Sequence, residues 1–403
     1  MKKERDINDY PICPKCLSRI IKNPNYRNNL AVRVIDDGED CCICENLLYK
    51  KDKILGLIKH KISILDVEFD SFIIACQNNS NKIKDNENYI HNVLDYKGND
   101  SLKQQIKREV GVLVAKKLHK RIDFKNPDVV IMIKIKDGIY KHSPYDDLKN
   151  MNIFVDTNPI FIEGKYRKLV RGIPQTHWPC TNCKGKGCKE CNYTGQQYEH
   201  TVEGLIAKDL LLITRGNHTK FHGSGREDID VLMLGEGRPF VIEVKHPFKR
   251  HIDLKLLRRV INSHSDGMIE VNDLKFTDRT RVAQIKNSSV ESYKIYSAIA
   301  EFENGVTSND IEKIKKLKVI NQRTPLRVKR RRADLVRTRT IENIDVERIN
   351  SKKLRLIIKC QGGLYIKELI SGDDNRTKPS ISSITNNHAI CSQLDVLKVH
   401  IPK

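Results

Sequence analysis

The chain has 403 residues, enough for two or three domains at roughly 100–200 residues each. Hydrophobic residues at 39% and charged residues at 31% exclude a disordered tail, and aromatics at 6% with one tryptophan argue against a large sugar-binding surface. Lys and Arg outnumber Asp and Glu by 73 to 51, and an excess of 22 positive charges points to a polyanionic partner, of which nucleic acid is the commonest. The opening ten residues, MKKERDINDY, are charged and lack the apolar stretch of a secretory signal. No window reaches the roughly 18 uninterrupted apolar residues of a membrane span. A cytoplasmic protein with no membrane partner is the expectation.

Cysteines in a reducing compartment stay as thiols, so their spacing is read as metal ligation. Cys13-Pro-Lys-Cys16 pairs at a distance with Cys41-Cys-Ile-Cys44, where Cys42 is an alternative to Cys41. Next, Ser101 precedes Leu102, Ile106, Val110, Val114 and Leu118, a spacing that predicts a helix with one apolar face and a serine N-cap. Asn126-Pro127 punctuates the chain, and residues 128–135 (DVVIMIKI) predict a buried strand. Phe154-Val155 and Ile160-Phe-Ile162 predict further strands, followed by the basic stretch 165–171. A second thiol set, Cys180, Cys183, Cys188 and Cys191, has Gly185, Gly187 and Gly195 where the chain must bend around an ion. Four sulfurs match tetrahedral zinc and leave no open position, so both sets predict structural zinc, one or two ions, and no catalytic metal. Cys76, Cys360 and Cys391 are expected as core thiols.

Beyond residue 200 the sequence becomes strand-rich. Residues 313–339 hold 12 Lys or Arg against one acid, Asp334. Leu317, Val319, Ile320, Leu326, Val328, Leu335 and Val336 interleave with those charges. That pattern suits strands or a hairpin presenting cations along one face, with Arg323, Arg327, Arg330, Arg331 and Arg332 as candidate RNA contacts.

Residues 225–245 (GREDIDVLMLGEGRPFVIEVK) carry the candidate chemistry. One reading takes Asp230, Glu243 and Lys245 as the D…ExK set of a metal-dependent nuclease, two carboxylates holding a cation while the lysine assists water. The other takes Gly225-Arg226-Glu227-Asp228 as a turn that delivers one carboxylate to a cleft. A non-catalytic zinc and RNA-binding protein is a third possibility.

Residues downstream favour the turn. Gly225-Arg-Glu-Asp228 resembles the GRxD-type turn of pseudouridine synthases. Lys294-Ile-Tyr-Ser-Ala298 resembles the strand whose tyrosine, Tyr296 here, stacks on the target base. Residues 322–337 resemble a basic insertion of the archaeal and eukaryotic tRNA pseudouridine synthases that act on uridines 54 and 55 of the TΨC loop. Residues 363–373, with Tyr365 and Lys367, resemble the tyrosine-x-basic motif closing the same site. Gln175-Thr-His-Trp-Pro-Cys180 resembles the archaeal branch. Earlier, the helix–strand order and the Asn-Pro-Asp strand start resemble a THUMP domain, an RNA-binding module fused to many tRNA-modifying enzymes. Leu232 and Arg330 depart from the family, which often has arginine and histidine there.

The resemblance implies an α+β protein: an N-terminal zinc-stapled THUMP-like α/β domain and a C-terminal mixed-sheet catalytic domain with a central cleft. The expected divisions are a four-cysteine module over 1–50, the THUMP-like domain over 51–175, a second knuckle over 176–200 and the catalytic domain over 201–403. It also implies Asp228 as the catalytic carboxylate, Tyr296 and Tyr365 at the base, and Lys367 as the cation beside Asp228. Arg226 then supports the turn. The expected partner is the TΨC arm of tRNA, with no organic cofactor and no obligate protein partner.

Overall fold

Alternating and four-residue apolar periods build two separate interiors in the computed structural model, which describes residues 11–20, 33–35, 39–93, 100–136, 151–287 and 292–400. The chain divides into two units: Met1–Pro159 with His246–His251, and Ile160–Lys245 with Ile252–Lys403. Among the described residues, no helix is long and apolar enough to cross a membrane.

The first unit comprises β1 (Pro11–Ile12), α1 (Pro14–Ile20), β2 (Arg33–Val34), α2 (Lys51–Leu65), β3 (Ser71–Asn78), α3 (Asn81–Val93), α4 (Leu102–Leu118), β4 (Arg121–Ile122), β5 (Val129–Ile135) and β6 (Met151–Thr157). The predicted apolar stripe of α4 forms, with Leu102, Ile106, Val110 and Val114 buried. Its start is fixed by Ser101, whose backbone N–H donates to Gln104 Oε1 at 2.9 Å. The four-stranded sheet runs β4-β3-β5-β6, with β3 and β5 parallel and β5 and β6 antiparallel. The Asn-Pro-Asp segment has a physical task here. The Asp128 carboxylate accepts from the backbone N–H groups of Asp70 and Ser71 at 2.9 and 3.0 Å, tying the starts of β3 and β5 together. Cys13, Cys16, Cys41 and Cys44 belong to the same core as Ile54, Phe72 and Ile131, so the first thiol set shares an interior with the sheet.

The second unit comprises β7 (Ile160–Lys168), α5 (Val202–Thr214), β8 (His218–Gly223), β9 (Leu232–Lys245), α6 (Leu254–His264), β10 (Ile269–Thr277), α7 (Arg279–Asn287), β11 (Tyr293–Phe302), α8 (Ser308–Lys315), β12 (Val319–Arg323), β13 (Val336–Arg348), β14 (Lys353–Gln361), α9 (Ile366–Ser371), β15 (Thr377–Lys378), α10 (Ile381–Thr385) and β16 (Ala389–His400). Nine strands run β10-β7-β9-β16-β11-β14-β13-β12-β15, and β8 pairs with β9 to make a sheet of ten. The sheet is mixed: β9 and β16 pair in parallel, while β11 pairs antiparallel with both β14 and β16. The basic run folds as expected for a hairpin. β12 pairs antiparallel with β13, matching Gln322 to Arg337, and a short 3-10 turn over Leu326–Arg331 joins them. Strand β7, grouped by sequence with residues 51–175, pairs with β9 and β10 in this larger sheet. Cys76 and Cys360 are buried as expected, and Cys391 is partly buried against the core.

Candidate active site

Between the end of β8 and the start of β9 the chain makes a tight turn through Gly225-Arg226-Glu227-Asp228. Gly225 has φ +79°, a left-handed conformation that glycine adopts without the strain a side chain would bring. The turn is held from behind by buried polar groups. Glu227 is buried and accepts from the Tyr166 hydroxyl at 2.7 and 3.0 Å and from Arg238 Nε at 2.7 Å. Arg238 Nη1 donates to Ser224 O at 2.8 Å, and Gln175 Nε2 donates to Tyr166 Oη at 2.8 Å and to Gly225 O at 3.1 Å. The fully buried Lys168 amine donates to the carbonyls of Ile173, Asp228 and Ile229 at 3.0, 3.0 and 3.1 Å.

Burial pushes the Lys168 amine down to about 8, partly opposed by Glu227, Asp230 and Asp228. The same desolvation takes Lys294 to about 8. For Arg238, burial works against the charge, but Glu227 more than offsets it and the guanidinium stays protonated. Sequence inspection missed this whole network. Lys168 was findable, since it continues the buried phase of β7 after Ile160, Ile162, Gly164 and Tyr166.

In front of the turn lies a cleft of about 520 Å³, lined by Trp178, Asp228, Tyr296, Arg327, Tyr365 and Lys367 among others. The size falls within the roughly 300–1,000 Å³ of small-molecule sites. The Asp228 side chain keeps 37% exposure. Arg327 Nη1 donates to both of its oxygens, at 3.0 and 2.8 Å. The rest of that guanidinium is fixed by the buried Glu368, with Nε at 2.5 Å and Nη2 at 3.4 Å. Burial opposes the Arg327 charge, but Glu368 and Asp228 outweigh it and hold the proton more tightly than usual. Lys367 lies 3.5 Å from Asp228 and bonds more closely to Asp230, at 2.7 and 2.9 Å. Partial burial works against Asp230 ionising, yet Lys367 holds that carboxyl below its ordinary range.

Tyr296 projects from β11 and is buried, which pushes its phenol up so that it stays neutral. Tyr365 sits at the N-cap of α9, and its backbone is clamped by Gln322, whose amide donates to Tyr365 O and accepts from Tyr365 N–H, both at 2.9 Å. Arg226 packs its guanidinium carbon 5.2 Å from the Trp178 ring centre. Thus Asp228, Arg226, Tyr296, Tyr365, Lys367, Arg327 and Arg332 all line one cleft. Arg323 instead pairs with Asp334 at 2.9 Å. The side chains of Arg330 and Arg331 lie outside the described residues. The alternative nuclease set does not assemble in the cleft: Glu243 pairs with Lys245 and with His222 at 3.4 Å, and neither Glu243 nor Lys245 lines it.

Both thiol sets converge as expected. In each, the four sulfurs lie within 4.8 Å of one another, and Cys41 rather than Cys42 joins the first. In the second, the pairs Cys180–Cys188, Cys183–Cys191 and Cys188–Cys191 stand 3.7–3.9 Å apart, and the N–H groups of Gly187, Cys188 and Gly195 point at Cys183 or Cys191 sulfur at 3.2 Å. Inward-facing backbone N–H groups stabilise thiolates, so the donor set fits a soft divalent ion.

Residues 161–400 match the family described as Pus10, C-terminal, and residues 60–134 match the Pus10 THUMP domain, archaeal. A protein of Methanosphaera stadtmanae is 67% identical over 399 residues, covering 99% of this chain and 98% of its own. Relatives from Methanothermobacter marburgensis and Methanocaldococcus jannaschii are 42% and 44% identical, covering 98% and 90% of this chain and 97% and 76% of their own. All three are named tRNA pseudouridine synthase Pus10, which sets the class. The chain belongs to the Pus10 family, and it carries that family's archaeal THUMP domain.

Proposed function

We propose that the chain isomerises uridine to pseudouridine in the TΨC loop of tRNA, at positions 54 and 55, with Asp228 as the catalytic carboxylate. One observation carries the reading: Asp228 shares a cleft with Tyr296 and Tyr365, its two oxygens held by Arg327. The reaction breaks the bond from C1′ to N1 of uracil, turns the base, and forms a bond from C1′ to C5. The C5 proton is lost and N1 gains one, so nothing is oxidised and no water is consumed.

Asp228 acts as an anion, either bonding transiently to C1′ or removing a ribose proton, and a neighbouring cation favours that form. Arg327 and Lys367 supply the positive charge. The uridine has to leave its stack, at a cost of a few kcal/mol. Stacking on a tyrosine returns about 1–3 kcal/mol. Tyr296, kept neutral by burial, serves that purpose, and Tyr365 packs on the base and assists loss of the C5 proton. Arg323, Arg330, Arg331 and Arg332 contact the RNA backbone. Cys13, Cys16, Cys41 and Cys44, and Cys180, Cys183, Cys188 and Cys191, would each hold a structural zinc that staples its loop. Cytoplasmic action on tRNA follows from the same reading.

The test is pseudouridine mapping on an unmodified tRNA transcript after incubation with pure protein. Conversion at 54 and 55 is expected, and Asp228→Ala should abolish it while tRNA affinity changes little. Loss of affinity along with activity would make Asp228 structural, and RNA cleavage in place of isomerisation would overturn the reading.

A further inference from the structure

Tyr296 and Tyr365 account for the target uridine, yet a third aromatic lines the same cleft. Trp178 is half-buried there, with Arg226 over its ring at 5.2 Å and Tyr198 edge-on at 5.7 Å, the two ring planes at 85°. An indole with a guanidinium on it makes a flat, cationic platform. Both groups stack on nucleobases, and the guanidinium also reaches phosphate oxygens.

The platform is fastened to two elements. Arg226 stands two residues before Asp228 on the catalytic turn. Trp178 precedes Cys180, and residues 195–197, which close the second four-cysteine knuckle, bond to the chain at Trp178 and on past it. Gln197 N–H donates to Trp178 O at 2.9 Å, Pro179 bridges Gln196, and Cys180 N–H donates to Gly195 O at 2.8 Å. His177 Nδ1 adds a contact to Gln196 Oε1 at 3.0 Å. Gly195 is packed into this arrangement with φ +71°, and a Cβ there would meet Gly185 O at 2.4 Å. Lys184, Lys186 and Asn192 are exposed, and the loop winds around the converged thiols.

We infer that Trp178 is a base-stacking residue for a nucleotide beside the uridine being isomerised, carried into the cleft by the second four-cysteine knuckle. The knuckle is on this view part of substrate recognition, and it acts through the indole it positions. Stacking tolerates any base, so Trp178 sets the grip on a splayed loop rather than reading its sequence. The inference rests on the RNA-modifying reading above.

Trp178 is the single tryptophan of the chain, so its emission reports on this cleft alone. Titration of the zinc-loaded protein with a TΨC stem–loop RNA is expected to quench that emission, in parallel with binding followed by filter retention. Trp178→Ala should raise KM by about 5- to 150-fold, the span of base–aromatic stacking, with a smaller change in kcat. Trp178→Phe should recover most of the loss, and it decides the matter if the alanine variant fails to fold. Removing the metal with a chelator should shift the emission to the red and abolish the quench. Quench-free binding of RNA, or an alanine variant with wild-type KM, would overturn the inference while leaving the isomerase reading intact. A wild-type protein that binds and quenches but converts no uridine would overturn the isomerase reading instead.

Discussion

Replacing Arg238 by methionine tests whether the buried network behind the turn holds Asp228 in place. Arg238 and Glu227 have side-chain exposures of 1% and 0% and meet at 2.7 Å. Methionine fills similar volume but leaves the Glu227 carboxylate in the interior with the Tyr166 hydroxyl and without its directly bonded cation. Removing one member of a buried ion pair costs about 3–5 kcal/mol, because the other charge stays desolvated. For a unit of this size each kcal/mol moves Tm by roughly 2–4 °C, so the variant should melt about 6–20 °C lower. Ser224 O loses its donor as well, so the turn loosens and kcat should fall even below the new Tm. Adding Glu227→Gln to Arg238→Met removes the stranded charge, and the double variant should recover part of the loss. Scanning calorimetry on the wild type, both single variants and the double variant closes the cycle, with a coupling of about 0.5–3 kcal/mol expected. Strict additivity, or an Arg238→Met shift under about 2 °C, would show that the pair contributes nothing.

The Lys168 amine, at about 8, has three carbonyls to serve and loses one of its three N–H donors when it deprotonates. Its folded pKa lies below the unfolded value of about 10.4, so the unfolded chain binds more protons between those limits, and this group's contribution to stability rises with pH there. The turnover rate should therefore fall as pH passes about 8 while Tm does not follow it down, and Lys168→Met should be slow throughout without that limb. A pH-independent kcat from 7 to 9 in the wild type would refute this. Neutralising Arg330, Arg331 and Arg332 together should weaken tRNA binding and flatten its salt dependence by about 0.7 log–log units per lost single-strand phosphate contact. An unchanged slope removes that stretch from the interface.

Local period and local chemistry were legible in the sequence. The α4 stripe and the β5 run each follow one period, and CxxC pairs announce thiol clusters whatever their distance in the chain. Gly225-Arg-Glu-Asp228 gains its weight from the family resemblance of residues 294–298, 322–337 and 363–373 downstream, since four residues alone are a weak signal. What stayed hidden depends on contacts between distant segments. Arg327 and Asp228 are 99 positions apart, and nothing in a run of 12 cations distinguishes the one that reaches back to a carboxylate. Lys367 was the expected partner of Asp228, yet it bonds more closely to Asp230. Arg238 follows two glycines and precedes proline, a context that reads as a surface turn, although the residue is 1% exposed. The grouping of β7 with the preceding strands had the same origin. β6 and β7 follow each other with only Asn158 and Pro159 between them, and no change of composition marks the division at Pro159.

The basic insertion shows why a count of charges is a poor guide to what each charge does. Net charge gives a long-range attraction for RNA, which falls off within about 10 Å in ordinary salt. Close to the site, placement decides. Arg323 is matched by Asp334, while Arg332 faces the cleft. Arg327 is committed to two carboxylates, and its geometry depends on Glu368. With Nε and Nη2 taken by that buried acid, the planar guanidinium cannot pivot, and Nη1 is left aimed at Asp228. A lysine in the same place would put a point charge on a flexible stem, free to follow whichever carboxylate or phosphate came nearest. If Asp228 reacts as proposed, it needs a cation that keeps its position while a polyanion arrives, and a fork anchored by a second acid meets that need. On the proposed reading, part of the insertion would belong to the catalytic centre, with the remainder left to meet the RNA.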